Sequence, residues 1–242
     1  MFGRADAVFV GWWLSGMKEE DRKAIDEDYY SRTAKYRDGD YNRGGLLEWE
    51  TRLLGRYFSS AENLLVGSVG GGREVFGLVD AGYRVDSFEC HPELTAFANR
   101  TLEAEGYDAR VQLVPPNECP AGGADYDGLI VGWGGYMLIR TRAKRVEFLR
   151  QMRARAKGKA PILLSFFGRH DTTRDFRLAA RAGRLFSRLR PGGVRVEEGD
   201  YLAPTYTHFF NEDEIRAELD EAGFDLVYYS EEEYGHAVGI AR

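Results

Sequence analysis

Cysteine is nearly absent from this chain: 242 residues hold two, Cys90 and Cys119, without metal-ligand spacing. A disulfide framework and a zinc site are thereby excluded, no metal is expected, and a reducing cytoplasm suits the composition. Long apolar runs are missing too, none approaching the roughly 18 residues that span a bilayer. The aromatic stretch Phe9 to Leu14 (FVGWWL) is too short, and no small-residue cleavage pattern follows it. No repeat, low-complexity tract or recognisable nucleic-acid module is present. What is there is ordinary for a globular protein, 43% hydrophobic and 30% charged. The length allows one substantial core with additions. A net charge of −6 is unevenly spread: Arg140 to Arg195 carries 17 Lys or Arg against three acids, and Val196 to Glu233 carries 13 acids against one arginine. The two blocks either neutralise each other or leave a basic surface for an anion.

The most informative stretch is Asn63 to Glu89, NLLVGSVGGGREVFGLVDAGYRVDSFE. Its apolar run, glycine-rich turn, helix-period segment from Arg73 to Ala81 and second apolar run ending in an acid read as a βαβ unit, closed at Gly82. Glycines in such a turn allow a ligand to approach the backbone, and a carboxylate at the second strand's tip can accept both hydroxyls of a ribose. A dinucleotide fingerprint wants G-x-G-x-x-G; here the glycines cluster as G-x-x-G-G-G, with Arg73 and Glu74 near the place of the third.

The stretch resembles the first motif of class I S-adenosylmethionine-dependent methyltransferases. Ser68, Gly70 and Gly72 match the three turn positions and Glu89 the ribose-binding acid, while Val66 stands where the family often has an acid. Later segments extend the resemblance to roughly residues 61–242. YDGLIVGWGG (Tyr126 to Gly135) is similar to the family's fourth-strand motif, and APILLSFF (Ala160 to Phe167) reads as the fifth strand. A helix from an Asn211 cap to Gly223 precedes two terminal strands. The resemblance implies an α/β fold, a three-layer Rossmann-like sandwich whose seven-stranded, mostly parallel sheet has an antiparallel last strand. Residues 1–60 form an apolar segment and a helical cap, in which Tyr30, Tyr36 and Arg43 are candidates to close over the cofactor. Residues 61–242 form the catalytic domain, with 168–209 inserted after the fifth strand.

The implied cofactor is S-adenosyl-L-methionine, and its candidate contacts are Ser68, Val69, Gly70, Gly72, Glu89, Cys90, His91, Asn117, Gly132 and Trp133. Methyl transfer from a sulfonium needs alignment more than covalent machinery, with a base only for a weakly acidic acceptor. His208 and His170 are the candidate bases, expected on loops above the sheet, and Tyr136 and Tyr206 the candidate substrate contacts. The acceptor is expected to be a small molecule, methylated at a hydroxyl. RNA or another polyanion is the alternative substrate, and a non-catalytic binding protein the alternative function. The N-terminal aromatics suggest a homodimer contact, and no membrane association is expected.

Overall fold

The computed structural model describes residues 4–169, 173–190 and 192–242. Strand β1 (Asn63–Gly67) lies at the centre of a parallel sheet, paired with β2 (Arg84–Glu89) on one side and β4 (Gly128–Val131) on the other. Beyond β2 lies the short β3 (Val111–Leu113), and beyond β4 lies β5 (Pro161–Gly168). Both faces of β1, β4 and β5 are covered, so their sequences run as nearly unbroken apolar residues rather than alternating. The side chains still alternate in destination. Leu64, Val66 and Ile130 pack with Phe58, Phe76 and Leu102 on one face, whereas Leu65, Leu129 and Val131 pack with Phe148, Leu149 and Ile215 on the other. Those two cores are the interfaces of a three-layer sandwich.

The helices follow the punctuation of the sequence. The helix α5 (Arg73–Asp80) starts after Gly72 at φ 102°, and Gly82 at φ 93° follows it; α6 (Pro92–Ala104) begins on proline, with His91 as its cap. On the other face lie α7 (Arg142–Arg155) and α9 (Glu212–Ala222), the latter opened by a reciprocal Asn211–Glu214 capping box. The terminal hairpin β8 (Phe224–Ser230) and β9 (Gly235–Ala241) inserts β9 antiparallel beside β5, pairing Leu163 with Val238. The order β3-β2-β1-β4-β5-β9-β8 is the seven-stranded sheet expected, with its last strand antiparallel.

Beyond that sheet, the chain builds a third core. The helix α8 (Thr173–Leu189) is followed by a hairpin, β6 (Asp200–Leu202) and β7 (Tyr206–Phe210), near the end of the stretch read from sequence as an insertion. Strand β7 pairs parallel with the tip of β5 at Phe167 and Gly168, just past the part of β5 that β9 occupies. The N-terminal helix α1 (Arg4–Gly16) packs along α8, where Gly11 and Gly183 meet; a Cβ on Gly11 would sit 2.2 Å from the Ala179 carbonyl oxygen. Val10, Leu14, Phe176, Val196 and Tyr206 fill the space between.

The basic and acidic blocks meet inside the protein. Arg145 of α7, 2% exposed as a side chain, is bound by Glu218 of α9 at 2.8 Å and by Glu197 at 3.1 Å. Arg142 and Arg150 both reach Glu221.

Candidate active site

The ends of β1, β2 and β4 converge on one cavity, as expected at the carboxyl edge of an open α/β sheet. The turn after β1 has three left-handed residues, Ser68 (φ 56°), Gly70 (φ 53°) and Gly72 (φ 102°). Gly70 lines the cavity, and an added Cβ there would meet nothing within 4 Å, so a ligand has room against this backbone. Gly71 is required for the opposite reason: a Cβ there would lie 2.0 Å from the Tyr36 carbonyl oxygen, where the cap folds over the turn. Gly132, after β4, faces the Ser68 carbonyl oxygen at a would-be 2.4 Å. The two loops therefore pack backbone to backbone.

Glu89 ties these loops together. Its Oε2 accepts the Gly70 amide at 2.8 Å, and its Oε1 accepts those of Cys90 at 2.7 Å and His91 at 3.0 Å. Three of about four lone-pair sites are thus in use, leaving one for a hydroxyl from the cavity.

The cavity holds about 260 Å³. Its roof is the cap helix α2 (Glu19–Arg32), which contributes Arg22, Asp26, Tyr29 and Tyr30. Tyr36 follows, and Tyr30 packs against it at 5.3 Å and against His91 at 6.2 Å. Arg43 lies apart from the lining, binding Tyr107, Asp80 and Glu105 on the surface. Asn117, at φ 65°, lines the side after β3. Trp133 is set in the wall by Glu74, whose Oε1 accepts its amide at 2.9 Å. Glu74 is itself held by the buried Arg73, which also grips Glu50 on α4 (Glu48–Tyr57) with two bonds of 2.7 and 2.8 Å. The two residues that break the dinucleotide pattern thus lock cap, turn and β4 loop together.

Of the cofactor contacts read from sequence, Ser68, Gly70, Glu89, Cys90, His91, Asn117 and Trp133 line the cavity. Val69 is 2% exposed and packs in the core, and Gly72 and Gly132 shape the turns from behind. The acceptor-side residues fall elsewhere. Tyr136 is fully buried and donates its hydroxyl to Glu218 at 2.5 Å. Tyr206 and His208 stand on a strand rather than a loop, and both bond Asp200 Oδ1 at 2.7 Å, away from the cavity. Alternation along β7 is the physical reason: Tyr206, His208 and Phe210 face the core, while Thr207 reaches the cavity wall. His170 lies outside the described residues.

Glu197, Asp200 and His208 bring three possible metal donors within 4.8 Å of one another. Tyr206 and His208 occupy Asp200, and Arg145 occupies Glu197, so the arrangement is that of a buried hydrogen-bond and ion-pair network. Asp200 is held below the usual carboxylate range: its burial opposes the charge, but the His208 contact and other donors outweigh it.

Missing from the sequence reading were Arg22, Asp26, Thr205 and Thr207, which line the cavity. Asp26 is pushed up to about 6 by burial, against the pull of Arg22 and Thr205. Burial likewise raises the Tyr30 phenol well above its ordinary value. A highly charged helix, EEDRKAIDEDYYSR, carries no local sign of which acids turn inward.

No protein-family model matches the chain, and none of the curated proteins does. Solved structures do. A SAM-dependent methyltransferase from Methanosarcina mazei superposes with a TM-score of 0.65 at 16% identity, covering 81% of this chain and 98% of its own. A SAM-bound amino pentose methyltransferase from Micromonospora echinaspora, involved in calicheamicin biosynthesis, gives 0.58 at 13%, covering 90% and 97%. The magnesium protoporphyrin IX methyltransferase of Synechocystis, with bound SAH, gives 0.58 at 16%, covering 92% and 100%. Sheet order, glycine turn and acid-tipped second strand agree with these similarities: the chain has the class I S-adenosylmethionine-dependent methyltransferase fold.

Proposed function

We propose that this protein transfers a methyl group from S-adenosylmethionine to a small-molecule acceptor. The observation that carries the reading is Glu89, presented into a cavity from the tip of β2 and bonded across it to the open glycine turn at Gly70. The residues present fit the cofactor: Glu89 for the ribose, Gly70 and Ser68 for close approach of the chain, Asn117 and Trp133 for the adenine and sulfonium ends. When bound, it supplies an electrophilic methyl group. The protein's part is to hold the acceptor in line, exclude water under the cap, and manage the acceptor's proton.

The lining favours a neutral or cationic acceptor, because Asp26, Glu27, Glu89 and Glu118 face Arg22 and Lys23 there. That balance speaks against RNA or another polyanion, and so does the pairing of Arg145 with the buried Glu218 and of Arg142 and Arg150 with Glu221 at the surface. A hydroxyl is retained as the acceptor group, in keeping with a carboxylate beside the acceptor end. The reading also includes a homodimer through α1, supported by the exposure of Phe9 at 55% and Trp13 at 44%, and a reducing cytoplasm, supported by two free cysteines. No helix of the described residues is long and apolar enough to cross a membrane.

The deciding experiment is a ligand-dependent thermal melt. Adenosylhomocysteine at a hundredfold excess over Kd should add about 2.7 kcal/mol of stability and raise Tm, while NADH should leave Tm unchanged. A shift with NADH alone refutes the reading.

A further inference from the structure

Helix α2 presents to the cavity a carboxylate that the fold leaves half-partnered. Asp26 Oδ2 accepts Arg22 Nη1 at 2.5 Å, whereas Oδ1 is buried without a hydrogen-bond partner. A buried acceptor atom in that state is costly, and a donor that enters from the cavity and moves Thr205 aside relieves the cost. Arg22 does not neutralise Asp26 by itself, because Glu19 takes its Nη2 at 2.7 Å. Glu19 and Glu27 on the same helix add further negative charge. Across the cavity, Thr205 stands close enough to favour the ionised carboxylate, yet makes no bond of proper geometry to Oδ1. Tyr30 lies within the influence of both Asp26 and Glu89, and all three line the cavity. Burial places Asp26 near a pKa of about 6, where a carboxylate is ionised at neutral pH and basic enough to accept a proton.

We propose that Asp26 Oδ1 receives the protic group of the methyl acceptor, an O–H or N–H, and takes its proton during transfer. The inference rests on the methyltransferase reading and names the residue that completes it. As the acceptor's oxygen or nitrogen bonds the methyl carbon with its lone pair, the carbon–sulfur pair stays on sulfur, which becomes a neutral thioether. The proton lost from the acceptor ends on Asp26.

The test is binding rather than turnover. Wild type, Asp26→Asn and Asp26→Ser, each saturated with adenosylhomocysteine, are titrated calorimetrically with glucosamine, catechol and benzoate. Glucosamine carries an amine, catechol a phenolic hydroxyl, and benzoate an anion without a donor. At least one donor probe should bind wild type and lose about tenfold or more in affinity in both variants, the loss expected for one charge-assisted hydrogen bond. Which probe responds distinguishes an amino sugar from a phenol. Adenosylhomocysteine affinity should stay within about twofold, since Glu89 is untouched. The proposal is overturned if neither donor probe binds wild type, if both variants bind the donors as wild type does, or if benzoate is the preferred ligand. The reading on which it rests fails separately, by absence of adenosylhomocysteine binding to wild type.

Discussion

At the scale of single residues, Glu89 and Asp26 are both buried or half-buried carboxylates, and replacing each by its amide should have opposite effects. Glu89 accepts three backbone amides. A glutamine has one carbonyl oxygen for them and an NH2 that faces another donor. Glu89→Gln should therefore lower the melting temperature, through a loss of about 1–3 kcal/mol, and also weaken adenosylhomocysteine binding by roughly 1.5–3 kcal/mol. Calorimetric affinity equal to wild type would show that Glu89 does not touch the ribose. For Asp26, burial raises the folded-state value from the ordinary 3.8 to about 6. Between those values the folded protein holds a proton that the unfolded chain has released, so stability falls as pH rises through this window. Above it, the ionised native carboxylate costs roughly 2–3 kcal/mol. Asp26→Asn should accordingly be more stable than wild type at pH 7.5, with the gap closing toward pH 4. Denaturant titrations at the two pH values measure this, and a pH-independent gap would contradict the raised pKa.

At the scale of elements, the contact between α7 and α9 concentrates buried charge. Glu218 is 1% exposed and satisfies both Arg145 and Tyr136. Glu218→Gln leaves the Arg145 charge without its main partner and should cost about 3–5 kcal/mol. A loss under 1 kcal/mol in a denaturant titration would show that Glu197 compensates. The glycine turn responds to shape instead. Gly71→Ala places a Cβ against the Tyr36 backbone and pushes the cap outward, so adenosylhomocysteine affinity should fall more than stability does. Equal affinity would mean that the cap does not contribute to cofactor binding. Much of this level was legible in the sequence. Strand β1, its turn, α5 and the acid-tipped β2 follow from local spacing, and the Asn211 cap and Gly223 mark α9. The hairpin β6–β7 was not, because Tyr206, Thr207, His208 and Phe210 are all buried, and a strand covered on both faces has no apolar–polar alternation to read.

At the scale of the molecule, α1 and α8 form a helical pair that leaves Phe9, Trp12, Trp13 and Leu189 exposed on the outside. The three aromatic rings lie within about 6 Å of one another, the kind of patch that monomers rarely present. Under the homodimer reading, light scattering should give twice the 27.4 kDa chain mass, and Phe9→Ser with Trp13→Ser should return it to the single-chain value. A wild-type monomer at tens of micromolar would remove this contact. The acid–base pairing between α7 and α9 has its own consequence at this scale. Arginines paired with acids of the same chain release few counterions to RNA, so association with RNA at near-physiological salt should be undetectable by filter binding.

By itself, the sequence determined the βαβ unit, its glycine turn and the acid at the tip of β2, and the resemblance those residues carry implied the three layers and the seven-stranded sheet. The unit rests on spacing within a short window: apolar runs for strands, helical periodicity, and glycine where the backbone turns left-handed. Only the tertiary structure decided which charged residues face the cavity. Asp26 meets Thr205, and Arg145 meets both Glu197 and Glu218, across long stretches of chain. His208 is turned to Asp200 and away from the cavity by the pleat of β7, which pairs with β5 past the part that β9 occupies. Burial and partnership of a charge are set by what packs over it, and that packing comes from segments far away in sequence, so no local pattern carries it.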